Sequence, residues 1–421
     1  MQFSDFTQDA VPLFINKFGD CLLQLSESDN SLQKKYLTRI YNNIVVSEKQ
    51  VAKINKKQRC LYPIPNEIDN ISNMKLPSAY NTTFFSEIIR MQIVEKTEHR
   101  VSYIYKIDER DIQLDFFFME GDIDYGKYNK FANMVFITIN MLASYASKSC
   151  SRNLHILIYL TDIKKLMPEN NYTILEPIHV NGGFTTTCEK VSEIVIFRKE
   201  EWFKVLLHEC FHNLGLDFSL MNISELKKKM KTHFPIDCNF QLFESYSETW
   251  ARILNACICG YFAMENKNLE NFYLYSEMFL QTERLFTLFQ CNKILNFMGL
   301  TFDELLNKRH GSRRENSGSI LLYKEKTNVF AYYIITALFM NNYVKFMSWS
   351  DSNNTNFLKF TESQRNILDF CQYIISEIEQ KEFQKNLRCV EVDTKKNNKY
   401  ILKHNNVLMD TSRMSLFEFI P

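Results

Sequence analysis

One segment constrains this chain more than any other: Glu201-Trp202-Phe203-Lys204-Val205-Leu206-Leu207-His208-Glu209-Cys210-Phe211-His212-Asn213-Leu214-Gly215. Leu206, Leu207, Cys210, Phe211 and Leu214 make it a largely apolar helix, and Gly215 supplies a stop. Two histidines and a glutamate inside such a helix are costly to bury unless they have a task. The spacing His-Glu-x-x-His sets His208 and His212 one turn apart on one face. Two imidazoles placed this way can reach a single ion at about 2.0–2.1 Å. Glu209 then sits beside the ion without ligating it. From there it can take a proton from a metal-bound water and pass it to a leaving amine. The alternative is a helix whose histidines are merely structural.

A catalytic zinc site takes a third protein ligand and keeps one position open. Two carboxylates compete for that place. Glu244 lies in Phe243-Glu244-Ser245-Tyr246-Ser247-Glu248-Thr249-Trp250-Ala251, a helical pattern that continues through Ile253, Leu254 and Cys257. Glu244 and Glu248 share a face, so Glu244 can bind the metal while Glu248 accepts the ring N–H of a bound histidine. A solvated acidic face is the other reading of that pair. Asp217, just after Gly215, is the alternative metal ligand. Enzymes whose helix ends at such a glycine place the third ligand ten residues after the first histidine. Here that residue is Phe218, which cannot ligate, and Asp217 falls one residue early. Capping or orienting the turn is its simpler role.

His208-Glu209-x-x-His212 followed by Glu244-x-x-Ser-Glu248 resembles the gluzincin group of zinc metallopeptidases. Their pattern is HExxH plus a downstream helix bearing E-x-x-[AS]-[DE]. The resemblance covers roughly residues 100–260. It implies Zn2+ held by His208, His212 and Glu244, with Glu209 as the base and Glu248 orienting a ligand. It also implies a zincin-like upper domain, whose edge strand pairs with an extended peptide or protein substrate. Asn181 to Thr187 or Glu193 to Phe197 would supply that edge. The Lys-, Asn- and Phe-rich composition and the Arg198-Lys199-Glu200-Glu201-Trp202 lead-in are similar to predicted peptidases of large DNA viruses, which adds a virion association. An oxyanion needs a further donor; Tyr332, Tyr333, His310 and Arg252 are the candidates. The rival function is a catalytically silent zincin-fold protein serving structure or virion assembly. Retention of Glu209 argues against it, because binding a metal does not require the base.

Around the motif the hydrophobic period predicts an α+β fold. Residues 1–95 read as mostly helical, with Pro63 and Pro65 making one stretch extended. Residues 96–220 read as a mixed sheet leading into the active-site helix. Val101–Ile107 and Ile112–Met119 alternate as a hairpin around Asp108 to Asp111. Tyr128–Ser147 is helical, and Leu154–Leu160 and Glu193–Phe197 are further strands. Asn181-Gly182-Gly183 marks a turn or a close approach. Residues 221–421 read as a helical half that carries the third ligand. Its apolar tail, Met409–Pro421, is expected to dock on the protein itself. The cluster Lys227-Lys228-Lys229-Met230-Lys231 reads as a solvated helix face.

Composition narrows the partners. The net charge is +1 with no acidic or basic half, so neither nucleic acid nor an anionic membrane is implied. Val329–Met340, the longest apolar stretch, is too short for a bilayer, and no secretion signal is evident at the N-terminus. The 11 cysteines are scattered and odd in number, which reads as reduced thiols in a cytoplasmic, reducing compartment.

Overall fold

Strands form where side chains alternate between two environments. In the computed structural model these are β1 (Glu67–Asn70), β2 (His99–Ile107), β3 (Arg110–Phe118), β4 (Asn153–Tyr159), β5 (Gly183–Thr185) and β6 (Val191–Ile196). They make one mixed sheet in the order β1-β2-β3-β4-β6-β5. The β2–β3 hairpin turns on Asp108 and Glu109, with Ile107 opposite Arg110 and Asp108 at positive φ. Pairing is antiparallel from β1 to β3 and parallel from β3 through β4 to β6. β5 then runs antiparallel to β6 at the sheet's edge. The structure describes residues 1–57, 59–65, 67–70, 76–78, 86–119, 123–306, 322–405 and 407–421.

The longer N-terminal helices are α1 (Asp5–Lys17), α2 (Glu27–Lys57), α3 (Glu87–Lys96) and α4 (Tyr125–Ala143). After the short α5 (Pro177–Val180) comes the motif helix α6 (Trp202–Asn213). The helical half follows as α7 (Ser224–His233), α8 (Phe243–Ala263), α9 (Leu269–Phe297) and α10 (Phe302–Leu305). A π-helix, Phe330–Ile335, leads into α11 (Thr336–Asn341). The chain ends with α12 (Tyr343–Asn353), α13 (Gln364–Glu379), α14 (Glu382–His404) and α15 (Val407–Asp410). The α+β order expected from the period is therefore present. One element differs: β1 adds a strand inside the region read as helical.

One face of the sheet presents Val101, Tyr103, Leu114, Phe116, Ile156 and Ile194 to the main core. That core runs without a break from α1 and α2 through α4, α6, α8 and α9 to Phe419. The three regions distinguished by sequence thus share one apolar interior. The opposite face packs Phe117, Leu157, Tyr159 and Val195 against Ile89 and Ile93 of α3. The basic cluster lies on α7, where Lys228, Lys229 and Lys231 are exposed and Met230 is buried. The apolar tail is buried as expected: Leu416, Phe417 and Phe419 lie inside.

Four cysteines correct the expectation of free thiols throughout. Cys21 bonds Cys389 with Cα atoms 5.8 Å apart, and Cys150 bonds Cys188 at 4.4 Å. Fold proximity, which spacing cannot express, brings each pair together across separations of 368 and 38 residues. The compartment inferred from reduced thiols loses its basis. Among the described residues no helix is long and apolar enough to cross a membrane. Denatured without reductant, the protein is expected to show seven reactive thiols, and all 11 after reduction. Reduction is also expected to lower the melting temperature, since such bonds typically contribute about 2–4 kcal/mol each. Eleven thiols before reduction would exclude both bonds.

Candidate metal centre

The motif helix is fixed at both ends. At its start Glu201 adopts a left-handed conformation, and its N–H donates to Glu418 Oε2 of the tail at 2.6 Å. At its end Gly215 sits at φ +62°, and a Cβ there would come within 3.2 Å of Cys188 Cβ. Gly215 N–H donates to His212 O and Leu216 N–H to Phe211 O, the paired bonds of a Schellman stop. That turn brings Asp217 back beneath His212. α8 crosses α6 and delivers Glu244 and Glu248 from the facing side.

Three donor atoms converge. His208 Nε2 and His212 Nε2 lie 3.1 Å apart, and Glu244 Oε2 lies 3.1 and 3.2 Å from them. Four ligands at about 2.0–2.1 Å in a tetrahedron have edges of roughly 3.3 Å. The triangle is thus the size that one face of a zinc tetrahedron requires. Two imidazole nitrogens so close repel unless a proton or a cation lies between them. The residues present therefore fit a divalent ion.

Each imidazole has a carboxylate behind it, beside its other nitrogen. His208 Nδ1 is 3.0 Å from Glu248 Oε2, and His212 Nδ1 pairs with Asp217 Oδ2. Such carboxylate partners fix the ring orientation and leave Nε2 aimed at the site. Of the two carboxylates offered by sequence, only Glu244 joins the converging atoms. Asp217, the alternative ligand, instead pairs with the far nitrogen of His212. One residue of register explains this: the Schellman turn places its carboxylate at the far nitrogen. Its Oδ1 accepts Ser219 N–H at 2.7 Å and its Oδ2 accepts Ser247 Oγ–H at 3.1 Å.

The acidic pair on α8 is not a solvated face. Glu248 is buried between Lys204 Nζ, at 2.9 and 3.1 Å, and Arg252 Nε at 2.8 Å. Burial alone pushes its carboxyl up, but Lys204 and Arg252 overcome this and hold it well below the usual range. Glu244 behaves likewise: burial is outweighed by His212 and by hydrogen bonds with both imidazoles. Asn328 Nδ2 donates to Glu244 Oε1 at 3.1 Å, which leaves Oε2 for the site. His212 is driven well above its ordinary value, because Asp217 and Glu244 overcome burial.

Glu209 differs from its neighbours. It is 7% exposed, and among the described residues its carboxylate takes no hydrogen bond. Burial pushes its carboxyl up against the pull of His208 and His212. It lines the narrow cleft together with His208, Gly182 and Gly183. The glycine pair marks a close approach: a Cβ at either residue would come within 2.9 Å of Val205.

Of the candidate oxyanion donors, Tyr332 reaches the centre. Its hydroxyl donates to Glu244 Oε2 at 3.1 Å, and its ring centroid is 5.7 Å from that of His208. Tyr333 instead donates to Ser412 O, and Arg252 is committed to Glu248, Thr287 Oγ1 and the Tyr332 carbonyl. His310 lies outside the described residues. Tyr332 sits on the π-helix, a geometry frequent at functional sites.

Sequence reasoning missed Lys204 and Asn328 as supports. Lys204 carried a legible signal, being a lone cation one turn before His208 in an apolar helix. Asn328 had none. A second group of metal-ligand types, Cys21, Cys389 and Asp393, has its two sulfurs joined in a disulfide. No family model, curated protein or solved structure matches the chain.

The geometry separates ligand from support. Asp217→Asn is expected to weaken zinc binding about 10–100-fold, the usual cost of an orienting partner. Glu244→Ala, which deletes a converging atom, is expected to weaken it further. Competition against a chelating dye measures both, and the reverse ranking would restore Asp217 as the ligand.

Proposed function

We propose that this chain is a zinc-dependent metallopeptidase with a zincin-like core, acting on a peptide or protein substrate. The observation that carries the reading is Glu209. It is a buried carboxylate with no hydrogen-bond partner, set beside three converging ligand atoms and facing a cleft. A structural carboxylate at that depth would be paired. One left unpaired, and made more basic by burial, suits proton transfer near neutral pH.

A zinc ion held by His208, His212 and Glu244 would supply Lewis acidity, polarising a carbonyl and lowering the pKa of water toward about 7. The protein's own residues supply the rest. Glu248 and Asp217 hold the two rings in the tautomer that leaves Nε2 free. Glu209 takes the proton at its carboxylate and delivers it to the departing amine nitrogen. Tyr332 Oη, now resting on Glu244, is placed to turn toward a developing oxyanion. Backbone groups of β5 lie at the sheet edge beside the cleft and suit an added substrate strand.

The small volume of the cleft favours the second reading, a silent zincin-fold structural protein. Two variants separate the readings. Glu209→Gln is expected to keep zinc, measured by elemental mass spectrometry, and to abolish cleavage of a peptide library that the wild type hydrolyses. Zinc without turnover in the wild type supports the silent protein, and turnover surviving in the variant removes Glu209 as base. Tyr332→Phe is expected to lower kcat roughly 10- to 1,000-fold with KM little changed, in the range for loss of one oxyanion donor. An unchanged kcat would return Tyr332 to a packing role.

A further inference from the structure

The cleft beside Glu209 is small. Its volume is about 30 Å³. One water requires roughly 10–15 Å³ in the same terms. A methyl or hydroxymethyl group fits such a space, whereas an isobutyl or benzyl group does not. One wall is the main chain of Gly182 and Gly183, which adds no side chain to the space. Met414, which belongs to the C-terminal tail, also lines it, beside Lys165, Lys204 and Glu248.

Met414 is held in place by buried charge. The Glu201 carboxylate accepts Met414 N–H at 2.8 Å and Ser415 N–H at 2.6 Å through one oxygen. Its other oxygen takes Lys165 Nζ at 2.8 Å. On either side the tail is tied down again: Gln290 Nε2 donates to Arg413 O at 2.5 Å and Asn255 Nδ2 to Phe417 O at 2.8 Å. Met414 Sδ lies 3.6 Å from Lys204 Nζ, the cation that anchors Glu248. Shifting the Met414 main chain would cost the buried Glu201 carboxylate two hydrogen bonds, which is strongly unfavourable.

We infer that Met414 is a specificity-determining residue, restricting one of the two substrate positions flanking the scissile bond to glycine, alanine or serine. This rests on the hydrolase reading above. A side chain many residues from the motif, on a tail threaded under α6, thereby sets the substrate class.

Mass-spectrometric mapping of cleavage sites in a mixed peptide library, using the full chain loaded with zinc, tests this. One flanking position is expected to hold only Gly, Ala or Ser. Met414→Ala is expected to raise relative kcat/KM for Val or Leu there at least about tenfold, within the range seen for added methylenes in apolar pockets. Met414→Leu, of similar volume, should keep the restriction. Large residues accepted equally at both positions by the wild type would overturn the inference, as would a Met414→Ala profile identical to wild type. If the wild type cleaves nothing, the hydrolase reading fails separately, and binding decides the pocket. By calorimetry the zinc-loaded protein should then bind alanine hydroxamate at least about tenfold more tightly than leucine hydroxamate. Equal binding, or none, overturns the pocket as well.

Discussion

The Glu248 carboxylate is the constraint on which the rest of the centre depends. It lies fully inside the protein, where an unpaired negative charge is untenable. Lys204 and Arg252 neutralise it, and its Oε2 lies 3.0 Å from His208 Nδ1. The same Arg252 guanidinium reaches Thr287 on α9 and the Tyr332 carbonyl of the π-helix. One charge cluster therefore locks α6, α8, α9 and the π-helix in mutual register. Removing one member of such a cluster typically costs about 3–5 kcal/mol, because a buried charge is left behind. The orientation of an imidazole and the integrity of the helical half are thus the same physical fact.

A second buried cluster does for the C-terminal tail what the first does for α6. Glu201, Lys165, Arg413 and Glu418 interlock beneath the start of the motif helix. Burial pushes the Glu201 carboxyl up, yet Lys165, Lys204 and Arg413 bring it down to about 2. It is ionised whenever the protein is folded near neutral pH. The tail consequently behaves as an interior element, and the cleft inherits its narrowness from a segment that reads in isolation as a loose apolar end. The sheet contributes from the other side, where Gly182 and Gly183 let the edge strand lie against Val205.

Much of this was legible in local pattern. Alternation and short apolar runs located β2, β3, β4 and β6, and apolar periodicity located α4, α6, α8 and α9, because these elements bury apolar side chains in the protein interior. The spacing of His208, Glu209 and His212 placed them on one helix face, and the spacing of Glu244 and Glu248 did the same on another. These are properties of a helix, and four residues per turn suffice to state them. Other features were not legible. β1 lies in a polar stretch whose pairing with β2 decides its conformation. The π-helix under Tyr332 has no signature in composition. The cysteine pairs join residues that only the fold makes neighbours.

The sequence by itself determined that two imidazoles and a base share one helical face, and that a later helix offers a pair of carboxylates. Helical geometry is local, so residue spacing was enough. Tertiary structure alone decided that Glu244 converges with the imidazoles, that Asp217 and Glu248 stand behind them, and that Asn328, Tyr332 and Met414 complete the surroundings. Those assignments depend on how α8, the π-helix and the tail are brought against α6. Their approach is set by buried charge pairing and packing between residues far apart in the chain, which no local pattern encodes.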